Sequence, residues 1–329
     1  MRKIYFPLLF LIFFSVFVST QGQTNNENNA ITLSTNPKYP GALQSVTITA
    51  SSFQVDLNKT YITWSIDGEV KLSGMGKNSF SFTTKGVGNE SVVKLSADTQ
   101  TFGKIAKEII ITPTDLDILW EANTYVPPFY KGKALPSSQS SVRVIPFPSF
   151  VGKDGYYNSK DLVYKWKAGY FGSADDSGYG KNTFIYKTGY TYNSDIIEST
   201  VSTLNSGLSI NKKISIYVSE PKILFYENKP LNGVRFENNI GDTLRFSTTE
   251  LTIRSAPYFF AIPGLNNNSA SFVWKMDGRQ LEIDPDNKME FTFRKPEQGE
   301  GRFQLSLAVN NKGYDLQTAE KSTSISYSN

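Results

Sequence analysis

The stretch at residues 61–68, YITWSIDG, surrounds Trp64 with β-branched and aromatic residues and ends in Asp-Gly. Such residues favour a strand, and Asp-Gly is typical of a two-residue hairpin turn in which both central residues need positive φ. Related stretches occur at residues 163–169, VYKWKAG, and at residues 272–278, FVWKMDG. The three tryptophans are therefore predicted to lie on equivalent strands of repeated domains.

A second strand pattern follows each tryptophan. The three copies are NSFSF at residues 78–82, NTFIY at residues 182–186 and MEFTF at residues 289–293. Two linked patterns that recur with a period of roughly 105 residues indicate duplicated domains. We predict that Trp64, Trp166 and Trp274 are structural core residues, because a tryptophan on a mid-domain strand packs more often than it binds.

The end of each repeat is also rich in strand-forming residues, and the first two closing strands run into Pro113 and Pro221. Proline cannot donate a ladder hydrogen bond, so these residues mark joints between domains. Each domain is expected to have about six or seven short strands. The predicted organisation is a flexible linker at 23–30, then domains at 31–113, 114–221 and 222–329.

The composition favours an all-β protein without enzymatic activity. The chain has 23 Phe and 18 Tyr but no Cys and no His, which removes disulfides, catalytic thiols, thiolate zinc sites and the usual general base. Its 34 basic and 30 acidic residues form no dense basic block, so nucleic acid is not an expected partner. No catalytic residue, cofactor site or metal site is predicted.

Two acidic stretches could offer oxygen ligands to calcium, namely Asp175-Asp176 and residues 284–287, DPDN. Their spacing departs from that of an EF-hand loop, and aspartate is common in turns. We therefore predict turn-forming roles for both.

The first residues resemble an export signal. Arg2 and Lys3 precede an uncharged apolar run at residues 4–18, and small and polar residues follow it. This run is short for a membrane span, which favours cleavage near Gly22. The prediction is a signal peptide at 1–22, or else an uncleaved anchor in which residues 4–18 are the only membrane contact.

The strand tryptophans, the Asp-Gly turns and the repeat length resemble bacterial immunoglobulin-like or PKD-like modules. The resemblance covers most of residues 31–329, although the cysteine pair of antibody domains and the Trp-Asp-Phe-Gly-Asp-Gly signature of PKD modules are absent. It implies an all-β fold of three tandem immunoglobulin-like β-sandwich domains after the N-terminal signal or anchor helix. It also implies a secreted spacer, adhesin or envelope component.

The segment at residues 168–192 is rich in Gly and Tyr and is the strongest candidate for ligand contact. Its alternative role is a long hairpin stabilised by aromatic cross-strand pairs. The candidate contact residues are Tyr170, Phe171, Tyr179, Tyr190 and Tyr192.

A second aromatic group surrounds Trp120, with Tyr125, Phe129 and Tyr130 nearby and Pro127-Pro128 stiffening the loop. It is interpreted either as a docking surface or as packing at the joint between two domains.

The function predicted from these patterns is a non-catalytic, exported cell-surface structural or adhesion protein. One alternative is a glycan-binding module or scaffold that uses the aromatic loops of the second domain, and another is an accessory component of a pilus or secretion apparatus. The expected partners are other envelope proteins or surface glycans, and the expected location is extracytoplasmic.

Overall fold

The computed structural model describes residues 30–152, 154–190, 193–205, 207–266 and 269–328. The fold is nearly all β, with 59% strand and 5% helix, and its strands form tandem immunoglobulin-like sandwiches, so the predicted fold class is confirmed. The predicted signal segment at 1–22 lies outside the described residues. Within the part of the chain described, no helix is both long enough and apolar enough for a membrane span.

The first sandwich is built from strands that lie in the first third of the chain. These are β1 (Thr32–Asn36), β2 (Ser45–Ser51), β3 (Tyr61–Ile66), β4 (Glu69–Met75), β5 (Ser79–Thr83), β6 (Ser91–Thr99) and β7 (Gly103–Ile111), with a 3₁₀ helix at Leu57–Lys59. One sheet has the order β1-β2-β5 and the other has the order β4-β3-β6-β7. Alternate residues of β6 are buried, as expected for a strand with one face toward a core.

The second sandwich contains a longer Trp-strand hairpin. Its strands are β8 (Asp115–Ala122), β9 (Ser141–Ser149), β10 (Val151–Gly152), β11 (Gly155–Tyr156), β12 (Val163–Ala168), β13 (Phe171–Tyr179), β14 (Phe184–Lys187), β15 (Ser194–Ser202) and β16 (Ser209–Tyr217), with a 3₁₀ helix at Ser159–Asp161. The order β13-β12-β15-β16 forms one sheet and β14-β9-β8 forms the other. The strands β10 and β11 pair only with each other.

The third sandwich has the same plan with a larger second sheet. Its strands are β17 (Lys222–Lys229), β18 (Gly233–Ile240), β19 (Thr243–Phe246), β20 (Glu250–Tyr258), β21 (Ala270–Met276), β22 (Arg279–Gln280), β23 (Glu290–Arg294), β24 (Gly301–Asn311) and β25 (Thr318–Tyr327), and its helices are α1 (Ile262–Asn266) and a 3₁₀ helix at Pro285–Asn287. The sheets have the orders β18-β17-β20-β23 and β19-β25-β24-β21-β22, in which β19 and β25 are parallel.

The second and third sandwiches have more strands, among the described residues, than the six or seven predicted. Part of the difference comes from the short elements β10, β11 and β22, each of two residues. A two-residue strand has no alternation of apolar and polar side chains, so no sequence pattern marks it.

Contacts group the described residues into two compact units. One consists of residues 30–34, 48–80 and 92–109, and the other consists of residues 35–47, 81–91 and 110–328. The second unit contains both the second and the third sandwich. This division does not test the predicted domain boundaries, which stay predictions.

The same aromatic stack lies at the centre of each sandwich. Trp64, Trp166 and Trp274 are each at most 1% exposed. They stack on the phenylalanines of the second strand pattern, with ring centroids 5.7, 5.3 and 5.8 Å apart for Phe80, Phe184 and Phe291 respectively.

Each indole also finds a hydrogen-bond acceptor at the equivalent place. The Nε1–H groups donate to the backbone carbonyls of Lys77, Lys181 and Lys288, at 2.7, 3.0 and 3.0 Å. A buried indole N–H needs such a partner, so the repeat preserves both the apolar and the polar requirement of tryptophan.

A buried polar joint connects the second and third sandwiches. The Nε2 group of Gln317 donates to the carbonyl of Ser138 at 2.6 Å, while its Oε1 accepts from the N–H of Ala261 at 2.9 Å. Tyr125 adds a pair of backbone bonds, donating to Phe260 and accepting from Phe259, each at 2.8 Å. Hydrogen bonds between buried groups hold their surroundings in place, so these bonds stiffen the connection.

Candidate functional site

The most exposed aromatic pair of the second sandwich lies at the turn between β12 and β13. Ala168 pairs with Phe171, so Gly169 and Tyr170 form a two-residue turn. Gly169 has φ +60°, a conformation that glycine adopts without strain, and its N–H donates to the carbonyl of Ile196 at 2.8 Å. This turn leaves Tyr170 100% exposed and Phe171 82% exposed.

Next to this turn lies an open cavity of about 850 Å³, which we call the tip groove. Its aromatic lining comes from Tyr170, Phe171 and Tyr186, and its acidic lining comes from Asp195 and Glu198. The cavity volume is within the range of about 300–1,000 Å³ that is typical of small-ligand sites. The tip groove is therefore the candidate functional site.

Glu198 is the centre of a row of charges across three strands. Its carboxylate lies 3.9 Å from Lys167 Nζ and 3.4 Å from Lys213 Nζ, and it accepts a hydrogen bond from Asn211 Nδ2 at 2.7 Å. Burial raises the pKa of Glu198, but the hydrogen bonds from Asn211 and Lys213 and the charges of both lysines outweigh burial and leave the pKa below its usual value. Glu198 is thus ionised and internally neutralised at neutral pH.

Asp195 and Tyr186 are two partly buried polar residues that line the tip groove. Burial raises the pKa of Asp195, partly offset by the Gly189 N–H, which donates to the carboxylate at 3.4 Å. The buried Tyr186 Oη has no hydrogen-bond partner among the described residues. Burial, reinforced by the charge of Asp195, raises the pKa of Tyr186, so its hydroxyl stays protonated. The Asp195 carboxylate therefore retains hydrogen-bonding capacity for a ligand, whereas the Tyr186 oxygen is shielded from solvent.

The five predicted contact residues do not form one surface. Tyr179 lies at the opposite end of β13 from Phe171, and because the two pair with Val163 and Ala168 of β12 they are roughly 17 Å apart. Its hydroxyl donates to Asp161 Oδ1 at 3.0 Å. Tyr190 is 61% exposed in the loop after β14 but does not line the tip groove, and Tyr192 lies outside the described residues.

The alternative interpretation of this segment, a hairpin stabilised by aromatic cross-strand pairs, is wrong in detail. Phe171 pairs with Ala168 and Tyr179 pairs with Val163, so neither ring faces another ring across the hairpin. A bulge between Tyr164 and Trp166 shifts the register, and the sequence pattern does not reveal that shift.

The aromatic group around Trp120 lies mainly at the joint. Tyr130 packs edge-on against Tyr258 with centroids 5.4 Å apart, and Lys133 Nζ lies 3.3 Å from the centroid of the Trp120 ring. Phe129 differs, because it is 93% exposed at φ +64°. Tyr125 and Tyr130 thus pack at the joint, whereas Trp120 packs against the core of the second sandwich and Phe129 is exposed.

Residues 284–287 form the predicted turn, whereas Asp175-Asp176 lies within strand β13, so the turn prediction is wrong for that pair. Asp284 accepts from the N–H of Asp286 at 2.9 Å at the start of a 3₁₀ helix, and Asp176 accepts from the Ser173 hydroxyl within β13. Across the described ranges, no three residues of the types His, Cys, Asp and Glu are grouped closely enough for a metal ion.

The charged and buried residues of the tip groove were not identified from the sequence, although one signal was present. Two of the three Trp strands end in Asp-Gly, at Asp67-Gly68 and Asp277-Gly278, whereas the second ends in Gly169-Tyr170. The second repeat therefore departs from the other two at a turn that several polar sequences can form. Such a departure indicates that the turn has a role other than folding.

No family model matches the sequence, and no curated protein matches it. The three N-terminal domains of the bacteriophage RB49 highly immunogenic outer capsid protein align over 91% of this chain and 98% of that one, with 11% identity and a TM-score of 0.26. Fibronectin(III)-like modules of Clostridium thermocellum CbhA align over 57% and 94%, with 10% identity and a TM-score of 0.27. The central fibronectin-III array of RIM-binding protein aligns over 87% and 93%, with 9% identity and a TM-score of 0.29. Similarity at this level says nothing about function.

Proposed function

We propose that this chain is an exported, non-catalytic cell-surface protein whose tandem sandwiches present an adhesive site, the tip groove. The observation that carries the proposal is the exposure of Tyr170 and Phe171 beside a cavity. Exposed aromatic rings add little to folding, and aromatic residues are enriched where proteins contact partners.

The proposed export rests on residues 1–22, whose basic start, apolar run and small polar end match a signal peptide. The absence of cysteine removes any dependence on the redox state of the compartment. The buried joint around Gln317 supports a presenting role, because it stiffens the connection between the second and third sandwiches.

Cell fractionation and intact mass spectrometry of the natively expressed chain test the export. A mature chain that begins near Gln23 in the envelope or the medium is the expected result. An uncut chain in the membrane fraction would support the anchor alternative, and recovery from the cytoplasm would overturn the proposal.

Bead attachment tests the adhesive site. Beads coated with the purified chain are expected to attach to envelope preparations, and the double variant Tyr170→Ala/Phe171→Ala is expected to abolish attachment. Tyr156→Ala is the matched control, since Tyr156 is 77% exposed in the same sandwich but does not line the tip groove. Equal attachment by all three proteins would contradict the assignment of the site.

A further inference from the structure

The ligand class of the tip groove follows from the combination of side chains around it. Tyr170 and Phe171 offer exposed ring faces at the rim, and Asp195 offers a hydrogen-bonding carboxylate inside. A ligand that matches both must present apolar C–H faces and hydroxyl groups on the same small unit. Pyranose sugars have this chemistry.

The lining of the tip groove carries three lysines and two carboxylates, and the position of one of these carboxylates disfavours an anionic ligand. Two of its lysines, Lys167 and Lys213, are engaged by Glu198. The remaining charged groups of the lining, Lys187 and Asp195, have opposite signs. A carboxylate or sulfate on the ligand would meet the partly buried Asp195, where like-charge repulsion is poorly screened.

We propose that the tip groove binds a neutral polysaccharide, with sugar rings stacked on Tyr170 and Phe171 and a sugar hydroxyl bonded to Asp195. This inference deepens the proposed function and rests on it. A sugar hydroxyl donates to the Asp195 carboxylate, which has accepting positions beyond the one used by the Gly189 N–H.

The other two sandwiches provide an internal comparison. In the first and third, aspartate and glycine occupy the positions of Gly169 and Tyr170, and their hairpins continue with Glu69 and Arg279 where the second has Phe171. Only the second hairpin therefore carries aromatic rings at its turn. The double variant Gly169→Asp/Tyr170→Gly gives the second hairpin the turn of its neighbours and is expected to fold.

A glycan array that holds neutral and acidic glycans, probed with the purified chain, is the first test. Affinity electrophoresis in gels that contain the best neutral polysaccharide then measures the variants. Tyr170→Ala, Phe171→Ala and Gly169→Asp/Tyr170→Gly are each expected to weaken binding about tenfold or more, as for loss of an aromatic stacking contact. Tyr156→Ala is expected to bind like the unmodified chain.

Asp195→Asn separates a binding role from a structural role. It keeps the size of the side chain but removes the charge, so it is expected to weaken binding while raising the melting temperature. A lower melting temperature with unchanged binding would overturn the role of Asp195 in the proposed site.

The remaining outcomes distinguish the ligand class from the adhesive role. Binding to acidic glycans alone, lost in Lys187→Ala, would overturn the neutral class. If no glycan binds but bead attachment still requires Tyr170 and Phe171, the carbohydrate inference fails and the proposed function stands. If attachment does not require these rings either, both fail.

Discussion

The hairpin turns of the first and second sandwiches occupy the same place in the repeat but differ in what they expose. In the first, Asp67 has φ +50° and its carboxylate accepts the N–H of Val92 at 3.0 Å. In the second, Gly169 provides no side chain, and Tyr170 is fully exposed beside a cavity. The third sandwich follows the first, since Asp277 accepts the N–H of Gln304 at 2.9 Å.

One backbone bond is nevertheless common to all three turns. The N–H groups of Asp67, Gly169 and Asp277 donate to Val92, Ile196 and Gln304 at 2.9, 2.8 and 2.9 Å respectively. The hairpin therefore requires the backbone bond and not the aspartate side chain. A position that folding does not require is free to carry an aromatic residue for another purpose.

The largest expected effect comes from truncating the buried tryptophan that all three repeats share. Trp64→Ala, Trp166→Ala and Trp274→Ala should each destabilise their own sandwich by about 3–5 kcal/mol, the cost of truncating a buried aromatic residue. Hydrogen exchange resolved by peptide, combined with urea unfolding, reports which sandwich opens. If any of the three tryptophan variants lowers the free energy of unfolding no more than Tyr156→Ala does, the three cores are not equivalent.

The second effect is on stability and compares the two aspartate turns with the turn at Gly169 and Tyr170. Asp67→Ala and Asp277→Ala remove a hydrogen bond from a carboxylate to a backbone N–H, and we expect a loss of about 1 kcal/mol in the free energy of unfolding. Gly169→Asp should recover part of that stabilisation in the second sandwich. Urea midpoints measure both changes, and unchanged midpoints in the aspartate variants would show that these side chains add nothing.

The third effect is a dependence on pH. Because the pKa of Asp195 is raised, the folded chain keeps a proton that the unfolded chain loses above the ordinary value of 3.8. Stability thus falls as the pH rises through the window between the ordinary and the raised pKa, and the full cost is present at neutral pH. Asp195→Asn should therefore melt higher than the unmodified chain at pH 7.

Thermal scans at several pH values check this sign. The advantage of Asp195→Asn should shrink as the pH approaches 3.8 from above, since the unmodified side chain is then protonated as well. An advantage that grows in acid would mean that the Asp195 charge stabilises the fold.

The smallest expected effect is on the exposed rings. Tyr170→Ala and Phe171→Ala should change the free energy of unfolding by less than about 0.5 kcal/mol, because surface substitutions remove little buried area. Differential scanning calorimetry provides the measurement. A larger loss would mean that the turn packs against part of the protein and that exposure does not mark a contact site.

The repeat could be predicted from sequence because its strongest residues recur locally. Trp64 and Phe80 are only a strand and a turn apart, so the pair that stacks in the core is visible as a linked pattern. The Asp-Gly turns were predicted correctly for the same reason, and Asp277 and Gly278 have φ +51° and +81°. The short strand β22 could not be predicted, because two residues define no period.

Tyr170 and Phe171 were identifiable from the sequence as candidates, but the composition of the site was not. Tyr186 and Asp195 line the same cavity as these rings only because β14 ends and β15 begins beside the turn, although the two strands lie in different sheets. Tyr179 was predicted to lie with Phe171 because the two residues are close in sequence. They lie at opposite ends of β13, so this prediction was wrong.

The sequence by itself determined the class of the protein, because the β-rich composition, the lack of cysteine and histidine and the recurring tryptophan pattern are local properties of the chain. Only the tertiary structure decided which aromatic residues are exposed, which carboxylates are neutralised and where the tip groove lies. Those properties depend on the register between strands and on the pairing of distant sheets, and a pattern with a period of two does not encode either.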